Sequence, residues 1–434
     1  MYILILNIVL YFVTLVYVAK KDSFISIRVF ILFLYFLFAL MGFITVSNGI
    51  FFETFGVYSL AKLSIIPYLV NYIMVIILLS SLRSKIINNN ITMWLKATNV
   101  LNSKLLLTFE NIVMVVCIVF LMLLFIGILQ NGILSYGVIY EASRIGERAV
   151  FFENKILNAL FFRSYKFLSF VVPFFYVIKF SKYVCGYKKK QCIMHIFIML
   201  CCLVAGCIVR ASRGGVFFVF LNFLFFVLCF WDYIAIRTKK LFSIGMGIAL
   251  IAVNFFVNQI SEDRFETDNV ATNNIRYFGE AFPNLGLRIW DISDEHILGA
   301  RKFPTLFQFF GGYIPDFNND YDYKMMYFES KYKYPVNNFK TLFGDLYIEF
   351  GLTLSILFFL LCVGILRLFY NKAKHSCLSI IYLYIVYELV TFGLFGLRLD
   401  ETYIIEYVLY FVVILILKKR FQNNFYNISL VKSE

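Results

Sequence analysis

The chain has 434 residues, 61% of them hydrophobic and only 15% charged, with a formal net charge of +14. A soluble domain runs nearer half apolar and a quarter charged, so an aqueous globule is excluded and lipid is the expected solvent. The excess of Lys and Arg then reads as a topology signal rather than as a nucleic-acid surface.

A span needs about 20 mostly apolar residues. Taken in chain order, the predicted spans are 1–19, 29–47, 63–82, 109–129, 157–178, 191–209, 215–236, 241–257, 343–366, 377–396 and 402–417. The first lacks a basic leader and a small-residue cleavage site, so it is read as a retained helix. Every second connection is basic. Lys20, Lys21 and Arg28 follow the first span, Arg83 and Lys85 the third, and Lys188–Lys190 the fifth. Arg237, Lys239 and Lys240 follow the seventh, Arg367 and Lys372 the ninth, and Lys418–Arg420 the last. The positive-inside rule makes these connections cytoplasmic, with the N-terminus outside and the C-terminus inside. The expected fold is therefore an all-α integral membrane protein of about 11 transmembrane helices, forming a single polytopic domain over 1–434. It carries one large extracytoplasmic loop, 258–342, rich in Asn, Asp, Tyr and Phe and containing short helices. The nine cysteines fall in predicted spans or cytoplasmic connections, so no structural disulfide is expected.

Outer-face arginines run against the charge rule and are informative for that reason. Arg210 and Arg213, in Val209-Arg210-Ala211-Ser212-Arg213-Gly214-Gly215, share a face if the preceding helical turn continues. Paired guanidiniums suit a phosphate or diphosphate, whereas snorkelling to lipid headgroups is the plainer alternative. In the long loop Arg276 and Glu280 stand four apart, as expected of a helical ion pair, and Arg288 lies beside Trp290. Asp345 and Glu349 share a helix face where the ninth span begins; carboxylates at such a place are costly and face a polar cavity or an arginine. Arg398 occupies another short outer loop, with Asp400 or Glu401 as its local partner in the plainer reading. Arg144 and Arg148, beside Glu141 and Glu147, read as a solvated helix face.

Other chemistries lack their residues. The run Asp316, Asn318, Asp320, Asp322 has a calcium-loop alternation, yet Tyr321 and Tyr327 stand where the glycine and glutamate are needed. His195, His296 and His375 are scattered, and no phosphate-binding Gly-rich loop precedes a Lys. No metal and no cofactor is expected.

The arginine-bearing short outer loop, the late long loop, Arg276-Tyr277-Phe278-Gly279-Glu280 and Thr341-Leu342-Phe343-Gly344-Asp345-Leu346-Tyr347-Ile348-Glu349-Phe350-Gly351 together resemble the Wzy-type O-antigen and capsule repeat-unit polymerases. The resemblance implies polymerisation of undecaprenyl-diphosphate-linked oligosaccharide at the outer face of a bacterial inner membrane, with lipid diphosphate as leaving group. It further implies a chain-length regulator as partner, besides membrane lipid and the lipid-linked glycan, and no nucleic acid. In that frame Arg210, Arg213, Arg276, Arg288 and Arg398 hold the diphosphate or glycan, and Glu280 and Asp345 are candidate bases. An O-antigen ligase, which would use His296, and a lipid-linked oligosaccharide flippase are the competing expectations.

Overall fold

The computed structural model describes residues 1–22, 25–55, 60, 63–96, 104–131, 152, 154–209, 212–240, 242–245, 247, 270–291, 296–317, 321–332, 339–373 and 379–431. It is all-helical, 84% helix, with no strand among the described residues, so the backbone groups that lipid cannot satisfy are satisfied within helices. The helices are α1 (Tyr2–Asp22), α2 (Ile27–Ser47), α3 (Ile50–Phe55), α4 (Ile66–Leu79), α5 (Ser84–Lys96), α6 (Lys104–Asn131), α7 (Lys155–Val184), α8 (Lys189–Ile208) and α9 (Arg213–Phe230). They continue with α10 (Val270–Gly279), α11 (Ala281–Asn284), α12 (Pro304–Phe309), α13 (Tyr321–Tyr332), α14 (Leu342–Ala373), α15 (Ser379–Phe392) and α16 (Glu401–Val431).

Eight described stretches are long and apolar enough to cross a membrane: α1, α2, α4 running on into α5, α6, α7, α8, α9 and α14. This is a multi-pass α-helical membrane protein. Two further predicted spans take a different form. Residues 377–396 contain the 14-residue α15, buried on almost every side, so protein rather than lipid surrounds it. The stretch 402–417 lies within α16, which is 31 residues long. The predicted span 241–257 lies almost wholly outside the described residues.

Local signals set the helix starts. Ser26 caps α2 by accepting from Val29 N at 3.3 Å, Pro67 opens α4, and Asn154 caps α7 by accepting from Ile156 N at 2.9 Å.

The chain forms two compact units. The first comprises Met1–Asn89, Ala271–His375 and Tyr382–Lys419; the second comprises Asn90–Val270, Ser376–Ile381 and Arg420–Glu434. In the first, α1 packs along α2, and α4 along α14. α2 runs from Arg28, paired with Asp22 at 3.0 Å, to Gly42, which faces the carbonyl of Gly279. The Tyr11 and Tyr35 rings stack at 5.2 Å, and Tyr68 donates to Phe282 O at 3.1 Å. The long loop thus folds as short helices, α10 to α13; all four residues of α11 are buried against the spans, whereas α12 buries none of its own. In the second unit, α6, α7, α8 and α9 pack together, and Lys179 and Lys182 pair with Glu110 at 2.6 and 2.5 Å.

Candidate functional site

The most charged place in the first unit is the start of α14. The segment 339–341 is pinned on both edges. Phe339 N donates to Glu280 Oε1 at 3.2 Å and Asn284 Nδ2 to Phe339 O at 3.0 Å. Lys340 N donates to Phe395 O at 2.8 Å and Leu342 N to Gly393 O at 2.9 Å. α14 then carries Asp345 and Glu349 one turn apart into the protein.

Three cations converge on these two acids. Arg301 Nη2 pairs with Asp345 Oδ1 and lies 2.8 Å from Glu349 Oε1. Lys302 Nζ is 2.7 Å from Asp345 Oδ2 and donates to Leu397 O at 2.6 Å. Lys340 Nζ is 3.8 Å from Asp345 Oδ1. Leu397 N adds a hydrogen bond to Asp345 Oδ2 at 2.7 Å. Asp345 is therefore fully engaged. Glu349, at 0% exposure, has an ion pair to Arg301, and its Oε2 accepts no hydrogen bond. Three basic groups and two acidic ones thus meet in the cluster. Burial, and the repulsion of Arg301 and Lys302, push the Lys340 ammonium down to about 7 against the pull of Asp345 and Glu349.

α14 is not continuous. Gly351 adopts φ 68 and ψ −172, which breaks the helix directly after the acidic turn. A Cβ there would lie 2.6 Å from His296 Nε2, so the glycine admits both the left-handed break and the imidazole. The His296 ring stands edge-on to Tyr347 at 5.2 Å, and Ile297 N donates to Ile348 O at 3.4 Å.

The other predicted site residues divide as follows. Arg276 and Glu280 meet as the four-residue spacing predicts, Nε to Oε2 at 3.6 Å. Burial raises the Glu280 carboxyl above its ordinary range, against the opposing effects of the Phe339 N–H, Arg276 and Arg288. Arg288 is half-buried, and burial lowers its guanidinium against the pull of Glu329 and Glu280. Trp290 turns inward onto Tyr347 at 5.0 Å. Arg398 corrects the local-pair expectation: its Nη1 meets Glu388 Oε1 at 2.7 Å, and its guanidinium sits over the Phe392 and Tyr403 rings at 4.4 and 4.1 Å. Burial opposes that charge, but Glu388 outweighs it and holds Arg398 firmly cationic. Asp400 and Glu401 are occupied elsewhere, Asp400 accepting from Tyr403 N at 3.1 Å and Glu401 from Leu306 N at 3.0 Å.

Arg210 lies outside the described residues, and Arg213 is described by its backbone alone, in the second unit. α8 ends at Ile208, and Ser212 is an extended N-cap for α9, accepting from Gly215 N at 3.1 Å. Gly214 and Gly215 lie in the first turn of α9.

Sequence reasoning did not single out Arg301, Lys302 or Lys340. The adjacent basic pair Arg301-Lys302, in a loop assigned to the outer face, carried the same charge-rule signal as Arg210 and Arg213. Among the described residues no group of three or more His, Cys, Asp or Glu is placed to hold a metal ion. Searches of protein-family models, curated proteins and solved structures find no match to the chain.

Proposed function

We propose that this protein is a membrane glycosyltransferase that polymerises oligosaccharide repeat units carried on undecaprenyl diphosphate, acting at the outer face of the bacterial inner membrane. The observation that carries the reading is the buried cluster Arg301, Lys302, Lys340, Asp345 and Glu349, whose cations outnumber its acids where α14 begins. Burial leaves Lys340 poised to lose its proton, an anion that keeps it charged would complete the cluster, and a lipid diphosphate supplies that anion from the membrane plane. The alternation of basic connections puts this end of α14 outside, opposite the end that holds Arg367 and Lys372.

In this reading the cations meet the negative charge that develops on the departing diphosphate. Arg276, Arg288 and Arg398, which belong to the same unit as the cluster, contribute to holding diphosphate or glycan. Asp345, saturated by three cations and a backbone N–H, fixes the cations in place. Glu280, buried and with its carboxyl raised by that burial, takes the proton of the acceptor hydroxyl. The hydroxyl oxygen bonds to the donor's anomeric carbon, the bond from that carbon to the diphosphate oxygen breaks, and lipid diphosphate leaves. A regulator of chain length is the expected protein partner.

The test is a gel of products from purified protein supplied with lipid-diphosphate-linked repeat units, with Lys340→Met and Glu280→Gln in parallel. A ladder of lengthening glycans that both substitutions suppress supports the reading. Absence of lengthening by folded wild-type protein with verified substrate overturns it, and transfer to a lipopolysaccharide core or transport into liposomes would identify a ligase or a flippase instead.

A further inference from the structure

The segment that delivers Arg301 and Lys302 to the cluster runs on into an apolar projection. Residues 303–315 carry no charge, although Lys302 and Asp316 bound them on either side. Within this stretch α12 is tied at its base to Glu401, the first residue of α16. Glu401 Oε2 accepts from Thr305 Oγ1 at 2.8 Å, Oε1 accepts from Leu306 N at 3.0 Å, and Glu401 N donates to Lys302 O at 3.1 Å. Beyond the tether the side chains point away from the protein. Leu306, Phe309, Phe310 and Tyr313 are 52, 80, 77 and 76% exposed. Gly311, at φ 86, turns the chain back after the two phenylalanines.

Four large apolar side chains standing out together are not a stable surface in water. The tether sets where they stand. Glu401 opens α16, and one turn later an exposed apolar face of that helix begins with Ile405 at 60% exposure and continues with Val408 and Val412. The projection is therefore continuous with a second apolar surface, and its Phe-Phe-Gly-Gly-Tyr composition suits the boundary between headgroups and acyl chains. We infer that residues 304–313 form a wedge inserted into the leaflet around the start of α16, with bilayer lipid as the partner. Arg301 and Lys302 then stand at the level of the headgroups, two residues from a segment immersed in lipid. This inference rests on the exposed apolar side chains and on their tether to α16, and is independent of any catalytic role.

Tryptophan fluorescence in lipid nanodiscs tests it. The full chain, whose own tryptophans are Trp94, Trp231 and Trp290, is compared with Phe310→Trp and with Lys331→Trp, which adds an indole on the exposed face of α13. Each is reconstituted in phosphatidylcholine with and without chain-brominated phosphatidylcholine. The added emission of Phe310→Trp is expected to be blue-shifted, to lose most of its intensity in brominated lipid and to resist aqueous acrylamide, while that of Lys331→Trp responds to acrylamide. Quenching of the 310 indole by acrylamide and not by bromine places the projection in water and overturns the inference. Resistance to both quenchers overturns it too, since the surface is then covered by protein. Should Phe310→Trp fail to give a monodisperse protein, Phe309→Trp reads the same surface.

Discussion

Glu349 meets Arg301 at 2.8 Å, and no other ion pair reaches this fully buried carboxylate among the described residues. Asp345, one turn earlier, shares the same Nη2 but has Lys302 and Lys340 as well. The two acids therefore depend on the guanidinium to different degrees. Arg301→Ala leaves Asp345 with partners and Glu349 with none, and an uncompensated buried charge costs about 3–5 kcal/mol. The expected outcome is a clear drop in the thermal unfolding midpoint in detergent, most of it recovered in Arg301→Ala/Glu349→Gln. No recovery in the double variant would show that the guanidinium acts through packing or through Asp345 instead.

Lys340 gives the cluster a pH dependence with a definite sign. Its folded-state value, about 7, lies below that of an unfolded lysine. Below pH 7 both states are protonated, and the full cost of the buried ammonium is present. From pH 7 towards the unfolded value near 10.4 the unfolded chain binds more protons, so this group adds stability as pH rises. The positive charge offered to an anion falls over the same interval. Unfolding midpoints measured from pH 6.5 to 9 should rise more steeply for wild type than for Lys340→Met, and the affinity for a lipid diphosphate should weaken across that range only when Lys340 is present. Parallel curves for the two proteins would remove Lys340 from the account.

Parts of this arrangement were legible in the sequence for plain reasons. Long apolar runs mark helices because lipid leaves the backbone no other partner, and most described spans follow those runs. Asp345 and Glu349 were conspicuous because carboxylates at the mouth of a span are expensive. The partners of these acids were not legible, since Arg301 and Lys302 come from a loop more than forty residues upstream and Lys340 resembles an ordinary loop lysine. Arg398 illustrates the limit of local spacing. The turn 393–400 folds back on α15, so the guanidinium reaches Glu388 ten residues earlier and leaves the neighbouring Asp400 and Glu401 to other bonds. Proximity in sequence suggested the wrong pair because burial between two aromatic rings outweighs it.

Glu280 separates hydrogen bonding from charge. Its Oε1 satisfies the N–H of Phe339, the residue that leads Lys340 into the cluster. Glu280→Gln retains an acceptor for that N–H and removes a carboxylate that burial already disfavours, so its stability should stay close to wild type. Glu280→Ala leaves the N–H without an acceptor and should cost about 1–3 kcal/mol. Thermal unfolding of the two variants side by side checks the ordering. If glycan lengthening is also lost in Glu280→Gln, a protein of near-normal stability, the carboxylate is needed for the proton and not for the fold. Equal destabilisation by both substitutions would mean that the charge itself, held near Arg276 and Arg288, anchors the segment.

Gly351 is the single residue that sets the end of the acidic turn. At φ 68 and ψ −172 it occupies a region that belongs almost exclusively to glycine, and its missing Cβ is where His296 Nε2 sits. Gly351→Ala therefore meets two penalties, about 1–3 kcal/mol of backbone strain and a collision with the imidazole. The second penalty can be relieved on its own. His296→Ala opens the space without altering the backbone requirement, so Gly351→Ala/His296→Ala should be less destabilised than the sum of the single variants. Strict additivity in unfolding midpoints would show that the backbone conformation alone demands the glycine.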